Sequence, residues 1–133
     1  LLVLRREGER ALVYVCRKTR LARDLAQPGV ARFLREQGYG RTDPEGALAT
    51  LKQRLAADEG FPHEIGIFLG YPLGDVIGFI QNAGRNCKCA GCWKVYVNEC
   101  EAVKAFARFK KCREVYRRQW LQGRTVWQLT VAA

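Results

Sequence analysis

Residues 61–72 read FPHEIGIFLGYP, and the fold turns on how this stretch is taken. Ile65, Ile67 and Leu69 alternate with Gly66, Phe68 and Gly70, which is the period of two that marks a strand. A strand of this composition is buried. Pro72 ends it, and Gly66 and Gly70 leave one face bare, so that a helix or a ligand can approach the backbone closely.

Working toward the N-terminus, Asp43 can cap a helix that carries Pro44 in its first turn and Leu48, Leu51 and Leu55 on one face, with Gly60 beyond its end. Pro28 opens an earlier helix with Val30, Phe33 and Leu34 as its apolar stripe, and Gly38 closes it. Thr19 can cap a short helix over 20–26. Residues 1–5 and 11–16 read as two strands joined at Glu7, Gly8 and Glu9, a hairpin.

Toward the C-terminus, a helix over 73–83 is closed by Gly84. The Gly- and Cys-rich loop 84–92 follows, and 93–97 alternates as a strand. Asn98 with Glu101 three residues later resembles a capping box at the head of a long helix, which runs to about Gln122 and stops at Gly123. Thr125 can cap a last short turn through Leu129, although Val126 and Trp127 would also suit a strand. The expected fold is α+β: a single compact domain over 1–133, with a four-stranded mixed sheet, an N-terminal hairpin and a cover of helices.

Composition agrees with one domain. The chain has 133 residues, of which 48% are hydrophobic and 27% charged, and this argues against disorder as the main state. No apolar run approaches the ~20 residues of a membrane span. The opening leucines are interrupted by Arg5 and Arg6, unlike a secretion signal. The chain contains no Met and reads as trimmed. A cytoplasmic location with no membrane partner is the expectation.

Charge is unevenly spread. Residues 1–38 hold nine basic and four acidic side chains, residues 39–79 three and six, and residues 80–133 eleven and three. Two basic flanks around an acidic middle favour an acidic partner, either a protein or a nucleic acid. On the last helix, Lys104, Arg108, Lys111 and Arg118 share one face and are the candidate partner-binding residues. Ala102, Phe106, Phe109, Tyr116 and Trp120 share the opposite face, and helical spacing assigns them to the core. No nucleic-acid-binding motif accompanies the basic stripe.

Cys87, Cys89 and Cys92 form C-x-C-x2-C in a flexible loop, and their thiolates can converge on one metal, with Cys100, Cys112 or His63 as a fourth ligand and Cys100 the first candidate. Zinc and an iron–sulfur cluster are the candidate cofactors. A thiol redox pair and plain reduced cysteines are the alternatives. Arg85, Lys88 and Lys94 stand close enough in sequence to favour thiolate.

His63 is the only histidine, and the sequence has no serine, so a Ser-His-Asp triad is excluded. His63 and Glu64 are the candidate catalytic residues, and such an enzyme needs a pocket beside Gly66 and Gly70. Their alternative role is to hydrogen-bond and orient the chain after Pro62. Asp58 and Glu59 read as the close of a polar loop rather than as a catalytic carboxylate pair.

The run from Phe61 to Tyr96, together with YVCRKTRLARDL near the start and KCREVYRRQWLQGRTVWQLTV near the end, resembles the bacterial family catalogued as domain of unknown function 3793. Pro62, His63 and Glu64 match its Pro-His-Glu signature, and the Gly-Tyr-Pro at 70–72 and Trp-Lys-Val-Tyr at 93–96 match as well. The resemblance implies no established activity. It implies a further N-terminal segment with a Cys-Ala-Pro stretch and an aromatic residue where this chain has Cys92. It also implies an association with flavodoxin-like proteins, which are acidic where this chain is basic. The leading expectation is therefore a non-enzymatic binding or accessory module, ahead of a metal or redox protein and of an enzyme.

Overall fold

The structure is a computed structural model and describes residues 1–57 and 59–130, so Asp58 and residues 131–133 lie outside the described residues. The described residues form β1 (Leu2–Glu7), β2 (Arg10–Tyr14), α1 (Lys18–Leu25), α2 (Val30–Glu36), α3 (Pro44–Ala56), α4 (Ile65–Phe68), α5 (Leu73–Gln81), β3 (Cys89–Ala90), β4 (Lys94–Val95), α6 (Glu99–Leu121) and α7 (Val126–Leu129). The class is α+β, as expected.

Helix α3 shows how local chemistry sets an element. The Asp43 carboxylate accepts from the Gly46 N–H at 3.1 Å and supplies the N-cap, with Pro44 in the first turn. Gly46, Ala47, Leu51 and Leu55 are buried on the inward face. Strand β1 lies against this helix through Leu4, which sits at a bulge in the antiparallel β1–β2 pairing. The Tyr14 hydroxyl at the end of β2 donates to the Phe68 carbonyl and ties the hairpin to α4. Leu21, Leu25, Val30, Phe33, Leu34 and Tyr39 complete the core from α1, α2 and the turn after α2.

The four-stranded sheet is corrected. The described residues hold two separate two-stranded antiparallel sheets, β1–β2 and β3–β4. The expected strand at 65–70 is the single helical turn α4. It ends in a local lock: the Gly70 N–H donates to Ile67 O at 3.1 Å, and the Tyr71 N–H donates to Gly66 O at 2.9 Å. This pattern requires a left-handed residue at Gly70, where φ is +78°. Gly70 is thus a helix-terminating glycine and not a bare strand face. The bare face at Gly66 is taken up by Val76 and Tyr71, whose side chains would lie 2.8 and 3.0 Å from an added Cβ. The alternation misled because Gly66, Ile67 and Phe68 are all buried, and a short apolar run buried all round carries no decisive period.

Helix α6 brings a second correction. Ala102 is buried and Phe106 half-buried, but Phe109, Tyr116 and Trp120 are 45%, 40% and 54% exposed and lie outside the core. The helix has 23 residues and spans about 35 Å. Helix α7 lies against it. A helical wheel marks which residues share a face, but it does not say whether anything covers that face.

Candidate functional site

Helix α5 builds the site floor. Gly74 and Gly78, one turn apart, allow the chain after β4 to lie directly on the helix backbone. A Cβ at Gly74 would stand 2.8 Å from Val97, and one at Gly78 would stand 2.5 Å from Tyr96. Between them, Asp75 is buried and fully engaged. One oxygen accepts from the Tyr96 and Val97 N–H groups at 2.8 and 3.0 Å, and the other accepts from Trp93 Nε1 at 2.8 Å. A single carboxylate therefore fixes the β4 segment and aims the Trp93 ring.

Trp93 is the centre of an aromatic cluster. Tyr71 stacks on it with centroids 5.0 Å apart, and Phe106 of α6 meets it edge-on at 4.7 Å. Gly91 makes room for Phe106, whose ring a Cβ there would strike. On the other side, His63 lies 5.8 Å from Phe61 and 5.0 Å from Phe79. Between these groups runs a cleft of about 560 Å³, walled chiefly by Phe61, His63, Leu69, Phe79 and Trp93, with Leu12 of the hairpin at one side. Lys94 borders it. Its Nζ donates to Gly84 O at 2.6 Å and lies 5.9 Å from the centre of the Phe79 ring.

The two candidate catalytic residues differ in burial. His63 is exposed on the cleft wall, whereas Glu64 is 2% exposed. Glu64 Oε1 accepts from the Tyr39 hydroxyl at 3.1 Å and lies 2.6 Å from Arg54 Nε. The Arg54 contact falls outside hydrogen-bond alignment and acts as an ion pair. Arg54 Nη1 donates to Gln37 O at 2.9 Å, so the trio knits α3 to the turns around it. Burial first, and then the Glu64 charge, push the Tyr39 phenol far above its ordinary range, so the hydroxyl stays a donor. Glu64 thus ties Tyr39 and Arg54 together in the core. A polar hollow of about 380 Å³ is bordered by Arg54, Glu59, His63 and Glu64, so both candidate catalytic residues line it.

All six cysteines are free thiols. Cys92, Cys100 and Cys112 are exposed, while Cys16, Cys87 and Cys89 are half-buried. Among the described residues, no three His, Cys, Asp or Glu side chains are grouped to hold a metal. Cys87, Cys89, Cys92 and Cys100 therefore share a neighbourhood without forming a ligand cluster. The expected basic activation is reversed at Cys89: burial pushes its thiol up, and Glu99 beside it adds to the rise. Lys88 and Lys94 each donate one ammonium hydrogen bond, to the Val97 and Gly84 carbonyls.

Lys104, Arg108, Lys111 and Arg118 are all exposed on α6. Lys104 reaches Glu101 at 3.0 Å, and the other three meet no carboxylate among the described residues. Sequence reasoning missed Asp75, Phe79 and Trp93 as a unit. The available signal was the Gly-Asp pair at 74–75 inside an apolar helix, since a lone acid there needs buried partners.

No helix among the described residues is long and apolar enough to cross a membrane. The family described as Protein of unknown function (DUF3793) matches residues 1–130, and the chain belongs to it. Neither a curated protein nor a solved structure matches the chain.

Proposed function

We propose that this DUF3793 family member is a binding module that docks an acidic protein along α6. The observation that carries the reading is the exposed apolar stripe of Tyr116 and Trp120 on a basic helix, continued by Phe109, whose ring also meets Trp93 at 6.3 Å. At about 100° per residue, Arg113 and Arg117 fall beside that stripe, while Lys104, Arg108, Lys111 and Arg118 fall on the far side. Trp, Tyr and Arg together are the composition of interface anchors. The far-side charges contribute a field that steers an acidic partner before contact. A nucleic acid would use the basic face and leave the apolar one idle, so a protein is favoured. The association implied by the family resemblance makes a flavodoxin-like protein the first candidate.

The test is binding of purified flavodoxin, and of an acidic protein fraction from the source cell, at low and high salt. We expect binding that weakens with salt and falls about ten-fold in Trp120→Ala, roughly the cost of one interface anchor. Arg108→Glu with Lys111→Glu should slow association and flatten the salt dependence. Binding to duplex DNA that ignores Trp120→Ala would replace the protein partner with nucleic acid. Absence of any binding at low salt would end the docking reading.

A further inference from the structure

The cleft between α5 and the β3–β4 loop is separate from α6's outer face and has the character of a small-molecule site. Its volume, about 560 Å³, lies in the range of ligand pockets, and its walls are mainly ring faces and aliphatic side chains. Phe61, His63 and Phe79 form one side, and Trp93, backed by Tyr71, forms the other. The Trp93 wall is held in place without a ligand, because Asp75 fixes its indole N–H. Such walls favour a flat aromatic guest.

The polar groups choose its charge. Asp75 is the one carboxylate bordering the cleft among the described residues, and three N–H donors occupy it. Lys94 uses one ammonium proton on Gly84 O, which leaves two. His63 adds ring nitrogens on the exposed side. The cleft therefore offers unused donors and no unused carboxylate.

We propose that this cleft binds a planar aromatic molecule carrying one anionic group, with the ring between Phe79 and Trp93 and the anion at Lys94. Its chemistry is that of an aromatic carboxylate, sulfonate or phosphate. The cleft meets the docking stripe of α6 only where Phe109 touches Trp93, and Trp120 lies outside the cleft lining, so a Trp120 variant separates the two readings.

The test titrates 2-naphthoate into isotope-labelled protein and follows amide and indole N–H signals, with 2-naphthylmethylammonium and 2-naphthylmethanol as charge controls. We expect shifts at the Trp93 indole and the Gly91 and Lys94 amides. We also expect about five-fold tighter binding of the carboxylate than of the ammonium probe, the scale of a partly solvated ion pair. Lys94→Gln should remove that preference. Because Lys94 also holds Gly84, a second variant is needed: Phe61→Ser, at a ring that is 56% exposed, should keep the fold and weaken 2-naphthoate about three-fold. Shifts confined to Tyr116, Trp120 and Trp127, equal binding of all three probes, or no shift at millimolar probe would each overturn the proposal.

Discussion

The Trp93 indole donates to the buried carboxylate of Asp75 at 2.8 Å, and this bond joins the β3–β4 loop to α5 across eighteen residues of chain. Two backbone N–H groups share the same carboxylate. Asp75→Ala strands three donors, and we expect a loss of about 3 kcal/mol in chemical denaturation, since each buried donor left unpaired is costly. Asp75→Asn should fall between the two, because its amide offers one acceptor oxygen in place of two. In both variants the buried component of tryptophan emission should shift to the red, since Trp120 and Trp127 are exposed from the outset.

Glu64 makes a different prediction. Tyr39→Phe should cost about 1 kcal/mol, the net worth of one buried hydrogen bond. Glu64→Gln should cost about 2 kcal/mol, less than a fully buried pair would lose, because the Arg54 side chain is 39% exposed and water screens it. A double-mutant cycle on urea unfolding should show the two changes coupled, since both act on one oxygen.

The N-cap of α3 bears on acid stability. The Gly46 N–H first, and then the Arg41 guanidinium, hold the Asp43 carboxyl below its ordinary value. A lowered folded value adds stability that is full above the unfolded pKa of about 3.9 and is lost as pH falls through the folded one. Thermal melts between neutral pH and pH 3 should therefore show a steeper acid limb in the parent than in Asp43→Asn, which keeps the cap but does not titrate. Equal limbs would remove Asp43 from the acid response.

The two halves of α6 should respond unequally. Phe106→Ala empties the space against Trp93 and Gly91 and should cost about 2 kcal/mol, a part-buried version of an aromatic truncation. Trp120→Ala should change stability by no more than about 0.5 kcal/mol, as for a surface site. A large loss at Trp120 would mean that its stripe is covered by the protein itself.

Thiol chemistry should be graded along the loop. Cys89 is half-buried beside Glu99, which keeps its thiol protonated, so iodoacetamide at pH 8 should label it more slowly than exposed Cys92, Cys100 and Cys112. Peptide mass mapping over time reads the order directly. Fastest labelling at Cys89 would contradict the Glu99 contact.

Much of this architecture was legible in the sequence because it is written in near neighbours. Asp43 with Pro44, Asn98 with Glu101, and Thr125 with Gln128 set helix starts through side chains and backbone groups three residues apart. Gly38 and Gly123 stop helices by the same short-range means, whereas at the end of α5 the first left-handed residue is Ala83 and Gly84 follows it. Family membership also followed from the sequence, since the residues carrying the resemblance run nearly the length of the chain.

Only the tertiary structure decided what those elements do. Residues 65–68 form a helical turn in which Gly66, Ile67 and Phe68 are all buried, and burial is a property of neighbours far along the chain. Asp75 and Trp93 became one unit because Gly74 and Gly78 let the β4 segment settle on α5. His63 and Glu64 are adjacent in sequence, yet His63 is exposed beside Phe61 and Phe79 while Glu64 is buried against Arg54 and Tyr39, and one hollow is bordered by both. The stripe on α6 shows the limit most plainly. Periodicity determines which side chains share a face, but whether that face meets a core or a partner depends on which other parts of the chain reach it.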